Sequence, residues 1–179
     1  MKNANPVSLL WRVVVVLAVL PLTAGCGRGD AVRATAAEVK PATEFFEIAV
    51  GEKTVRMQLA VKPKEMERGL MERRDLGADD GMIFVYPGVQ QMSFWMRNTP
   101  TPLDIGFFTA DGVLREVYPM QPYDETAVQS VRGDLKFALE VNQGWFVKNG
   151  VKPGVKLDLK ALGAALKARG FEPWEYGVR

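Results

Sequence analysis

Between residues 44 and 160, short apolar runs are separated by Gly, Pro and Asp turns, and most runs keep a two-residue period. Phe45–Val50 and Lys53–Val61 flank Gly51-Glu52, which predicts a hairpin. In the second run Val55, Met57, Leu59 and Val61 alternate with Arg56, Gln58 and Ala60, the pattern of a strand with one buried face. Met82–Tyr86 is continuously apolar between Asp79-Asp80-Gly81 and Pro87-Gly88, so this strand is expected to be covered on both faces. Gln91–Met96 is the next strand. After it Leu103, Ile105 and Phe107 share one face, while Asp104 and Gly106 point the other way. Ala110-Asp111-Gly112 turns the chain into Val113–Tyr118. Pro119–Leu135 is the longest irregular stretch. Phe137, Leu139 and Val141 then alternate with Ala138, Glu140 and Asn142, and Val155, Leu157 and Leu159 mark a last strand.

Helical spacing is rarer. Pro63 suits a first helical position, and Lys64–Met71 places Met66 and Leu70 on one face around Gly69. Gly144–Asn149 predicts a single turn stopped by Gly150. Ala161–Arg169 is an Ala/Leu helix ended by Gly170, before an aromatic tail of Phe171, Trp174 and Tyr176. The fold class is therefore mainly β (α+β): a compact antiparallel β-sandwich or barrel with one short inserted helix and a C-terminal helix.

The first 25 residues stand apart. Lys2 and Arg12 precede an apolar run, Val13–Leu22, that is too short for the ~20 residues of a membrane span. Leu22-Thr23-Ala24-Gly25-Cys26 resembles a bacterial lipobox, although Thr23 stands where Leu is usual. That resemblance implies lipidation at Cys26, export, and a periplasmic-face anchor. Gly27 lacks the Asp that marks inner-membrane retention, which leans the expectation to the outer membrane. The organisation is then a lipoprotein signal peptide (1–25), a flexible tether (26–43), a β domain (44–160), and a C-terminal helix with its tail (161–179). Arg28-Gly29-Asp30 spells an adhesion tripeptide of the kind that chance produces often.

Losing Lys2 and Arg12 with the leader leaves 21 basic against 21 acidic residues. A neutral domain has no electrostatic footprint for nucleic acid. The chain has no His and one Cys, which excludes a Ser-His-Asp triad, a Cys-His pair and the usual zinc site. Nothing in the pattern calls for a cofactor.

Candidate chemistry gathers at Ser93-Phe94-Trp95-Met96-Arg97-Asn98-Thr99 and Leu103-Asp104-Ile105, where polar groups are pinned between two core-like runs. A binding module for a small polar ligand, a glycan or an envelope protein would use Arg68, Trp95, Arg97, Asn98, Thr99, Asp104 and Glu140, under the 119–135 loop as a lid. Asn98, Thr99 and Asp104 equally suit a structural tie between turn and sheet. If their strands adjoin, Asp104 and Glu140 would form the acid/base pair of a hydrolase. Met92 and Met96, an even number apart with Trp95 between, suit a Cu(I) thioether site.

Taken in order, Arg68-Gly69-Leu70-Met71, Gly81-Met82-Ile83-Phe84, Phe94-Trp95-Met96-Arg97-Asn98-Thr99, Leu103-Asp104-Ile105, Leu139-Glu140-Val141 and Gly144-Trp145 resemble the bacterial and archaeal family called domain of unknown function 192. The resemblance runs from about Phe45 to Leu159. It implies a small, mostly β, often exported domain, with no established activity. Glu72 departs from it, standing where an apolar or aromatic residue is common.

Overall fold

The computed structural model describes residues 42–178. Cys26, the leader and the tether up to residue 41 lie outside them. The first two runs pair as expected: β1 (Phe46–Val50) and β2 (Lys53–Ala60) are antiparallel, with Ile48 opposite Val55. Gly51 makes the turn at φ +62°, in the left-handed region that glycine tolerates. From Val61 the chain crosses over through α1 (Pro63–Arg68) and re-enters as β3 (Asp80–Gln90), parallel to β2. A parallel neighbour needs a crossover of a dozen residues or more, and 61–79 supplies it. Gly69, at φ +47°, ends α1 earlier than the Met66/Leu70 spacing predicts. A Cβ there would lie 3.4 Å from the ring of Phe84.

β3 runs past Pro87-Gly88 to Gln90, where a break is expected. The register against its partner shifts between Val85 and Gln90, so Pro87 falls where no ladder N–H is required. The expected strand Gln91–Met96 shrinks to β4 (Ser93–Phe94), which pairs with β7 (Val128–Gln129), inside the stretch expected to be irregular. β5 (Leu103–Thr109), β6 (Leu114–Met120) and β8 (Leu135–Asn142) complete the larger sheet. Its strand order is β1-β2-β3-β8-β5-β6, with every pair antiparallel except β2/β3.

The class is the expected mostly β, α+β one, and the sheet is not closed. The expected last strand at Val155–Leu159 is instead a strap. Gly51 N–H donates to Lys156 O, and Leu114 N–H donates to Val155 O, so the strap touches both edge strands at one end of the sheet.

Both faces are covered, which is why β5 and β8 are buried almost throughout. On one face Ile83, Val85, Phe137, Leu139 and Val141 meet α2 (Trp145–Lys148), α3 (Leu159–Ala168) and Val178. Asp158 caps α3 by accepting from Ala161 N–H. On the other face Met82, Phe84, Ile105, Phe107 and Ala138 lie beneath Leu70, Phe94, Met92 and Met96. The buried Arg169 ties the layers: it donates to Leu59 O and, at 2.7 Å, to the Glu65 carboxylate of α1.

Candidate functional site

Glu140 belongs to an interior strand, between Met82 on β3 and Ile105 on β5. Alternation turns it to the face covered by α1 and β4. It is 4% exposed. Among the described residues nothing hydrogen-bonds its carboxyl, and burial pushes it up to about 8. It is therefore mostly protonated at neutral pH. The phenol of Tyr86 is also raised, by its own burial and then by the nearby Glu140 charge. No sealed side-chain polar atom among the described residues lacks a hydrogen bond, so the Glu140 carboxyl must keep an opening. That opening is a cavity of about 30 Å³ whose wall includes Leu70, Phe84, Phe94, Trp95 and Thr99.

Above the cavity lies a groove of about 460 Å³, lined by Lys64, Glu67, Arg68, Met71, Trp95, Arg97 and Asn98. Glu67, Arg68, Met71 and Trp95 line both, so groove and cavity adjoin. Trp95 is 44% exposed, with the Arg97 guanidinium 5.6 Å from its ring centroid. Arg68 pairs at 3.3 Å with Glu72.

Three chain segments meet at this edge, each with a residue forced into the left-handed region. Glu72 (φ 63°), Asn98 (φ 52°) and Tyr123 (φ 61°) are the non-glycine residues with positive φ among those described. All three line a second hollow beside the groove, with Arg74 and Pro100. Glu72 N–H donates to Asn98 O at 2.7 Å, and Tyr123 N–H to Thr99 O at 3.2 Å. Thr99 closes its own turn by donating to Arg97 O. Met96 N–H donates to Asp124 O, which fixes the 119–135 segment against the Trp95 turn. Such backbone strain persists only where the surroundings over-determine it.

Of the residues read from sequence as one site, Arg68, Trp95, Arg97, Asn98, Thr99 and Glu140 do converge. Asp104 does not. Its strand adjoins that of Glu140, but it pairs with Val141 while Glu140 pairs with Ile105. A one-residue offset places the two acids on opposite faces of the sheet, so they form no acid/base pair. Asp104 instead accepts from Gly144 N–H at 2.8 Å, and burial raises its carboxyl against the pull of that bond. Met92 and Met96 are buried in the core beneath the groove. Pattern reading missed Lys64, Glu67 and Met71. Part of the signal was present: Lys64, Glu67 and Arg68 stand at i, i+3 and i+4, one face of a helix, whereas Met71 lies past the end of α1.

The geometry defines a small α+β domain that carries a basic, Trp-floored groove above a buried acid. The chain belongs to the family called domain of unknown function 192, described as an uncharacterised ACR family, which matches residues 46–159. It is similar to a solved protein of unknown function from Novosphingobium aromaticivorans DSM 12444, at 35% identity and a TM-score of 0.61, over 70% of this chain and 94% of that one. It is also similar to a protein from Sinorhizobium meliloti 1021 that is provisionally described as a transcription regulator. That likeness has 33% identity and a TM-score of 0.59, over 64% of this chain and 92% of that one. No curated protein matches the chain.

Proposed function

We propose that this protein is a binding module of the cell envelope, held there by a lipid on Cys26, which takes a small polar ligand in the groove above Glu140. The observation that carries the reading is the half-exposed Trp95 at the groove, capped by Arg97, with an unbonded acid beneath it. Lys64, Arg68 and Arg97 outnumber Glu67 around the groove, so the ligand's outer end is anionic. Trp95 supplies the flat apolar floor that such sites use for shape recognition. Cys26 at the end of the lipobox-like stretch, and the small polar residues after it, support the anchored location.

Native mass spectrometry of the protein purified from its own cells tests this. The expected result is an added small-molecule mass that disappears on denaturation and is absent from Trp95→Ala and Arg97→Ala proteins that melt normally. A bare mass for the wild type, or an adduct that both variants retain, removes the groove as the binding site.

A further inference from the structure

The carboxyl of Glu140 has no evident use in the fold. A buried acid that bonds nothing destabilises its host, and a Gln or Met of similar size would fill the same space. Yet the carboxyl faces a cavity rather than packed side chains. We propose that this cavity seats a primary ammonium, so that the groove's ligand is a small molecule with an anion at its outer end and an amine at its inner end. The proposal rests on the groove reading above and adds the chemical class of the ligand.

Size, wall chemistry and charge all lead to the amine. About 30 Å³ accommodates two water-sized groups at most, enough for –NH3+ and too little for a ring. Phe84, Phe94 and Trp95 contribute to the wall, and Phe84 and Phe94 meet edge to face with centroids 4.9 Å apart. A carboxylate in a largely apolar wall attracts a cation and repels an anion. A neutral acceptor would gain a single hydrogen bond there.

The charged and titratable groups around Glu140 are Tyr86 from β3, which its charge reaches, and Glu67 and Arg68 from α1, which line the same cavity. Arg68 already pairs with Glu72, at 3.3 Å. The outer groove holds the complementary rim of Lys64, Arg68 and Arg97. With the carboxyl at about 8, ionising it at pH 7 lowers affinity by a factor of about ten. The ion pair with the ammonium has to exceed that cost, and the surplus is the preference for the amine. The proton leaves Glu140 for the buffer, and the ammonium keeps its own three.

Calorimetric titration of the full chain at pH 7 with ε-aminocaproate, caproate and hexylamine, in two buffers of different ionisation enthalpy, tests this. Wild type should bind ε-aminocaproate about tenfold or more tighter than caproate. It should release close to one proton per amine bound and none with caproate. Glu140→Gln and the size-matched Glu140→Met should abolish both the preference and the proton release, while still binding caproate and melting cooperatively. Equal affinities in wild type and Glu140→Gln, amine binding without proton release, or no binding of any probe by wild type overturns the inference. Caproate binding that Arg97→Ala weakens, with ε-aminocaproate binding wild type no tighter than caproate, would overturn the inference and leave the groove reading standing alone.

Discussion

Glu140 occupies a position that its strand would normally give to an apolar side chain, with Met82 and Ile105 beside it and Ala138 two residues before. Its carboxyl is raised from 4.5 to about 8 by burial, which has a definite consequence for stability. Between those values the folded state holds a proton that the unfolded chain releases, so stability falls as pH rises from 4.5 to 8 and is flat above. Glu140→Gln removes this loss. Chemical denaturation at pH 5 and pH 8.5 should show the variant gaining on the wild type by up to about 1.4 kcal/mol per pH unit across the window. Parallel pH profiles would show that the folded carboxyl titrates normally. Gly106, on the opposite face of neighbouring β5, makes a second residue-scale case. A Cβ there would lie 2.6 Å from the Phe146 ring and 3.1 Å from Leu114, both in the core. Gly106→Ala should cost about 1–3 kcal/mol in urea melts by overpacking.

Among the elements, α1 is held at both ends of its function. Its outward residues Lys64, Glu67 and Arg68 line the groove, and its Glu65 is gripped from below by Arg169 at the end of α3. Burial would raise the Glu65 carboxyl, but the Lys62 and Val61 N–H groups and Arg169 outweigh it and hold the group below its usual value. The associated stability is present above the unfolded value of 4.5 and is lost as pH falls through the lower folded one. Arg169→Leu leaves Glu65 and Leu59 O without that donor, and should cost about 3 kcal/mol. It should also make α1 the first site of limited proteolysis. A variant that melts like wild type would show that packing alone holds α1. Because α3 begins at residue 159, where the family match stops, Arg169 and its grip on the groove's helix lie outside the matched segment.

At the scale of the whole molecule, the anchor and the groove are separable predictions. Cys26→Ser should move the protein from the membrane pellet to the soluble periplasmic fraction without changing its melting curve. Its persistence in the pellet would show that something other than a Cys26 lipid holds it there. Ligand binding by the Cys26→Ser protein should match that of the wild type, since the groove draws on residues 64 to 98.

The alternation of Val55–Val61, Leu103–Phe107 and Phe137–Val141 was enough to place most strands, because period-two burial is a local property of a pleated backbone. The ordered motifs from Arg68 to Trp145 were enough to identify the family. Convergence of Arg68, Trp95, Arg97, Asn98, Thr99 and Glu140 was also anticipated from their interruption of apolar runs. What local pattern could not supply was pairing. Whether Asp104 and Glu140 share a face depends on a register set by two strands far apart in sequence, and that register parts them. The β2/β3 parallel pair, the strap at Val155–Leu157 and the shortening of Gln91–Met96 to β4 likewise follow from which partners each backbone finds. Sequence determined which side chains face a core and which break it. Only the tertiary structure decided that one acid became a tie to the Gly144 backbone and the other part of a cavity wall, since burial and partner, not residue type, set what a carboxyl does.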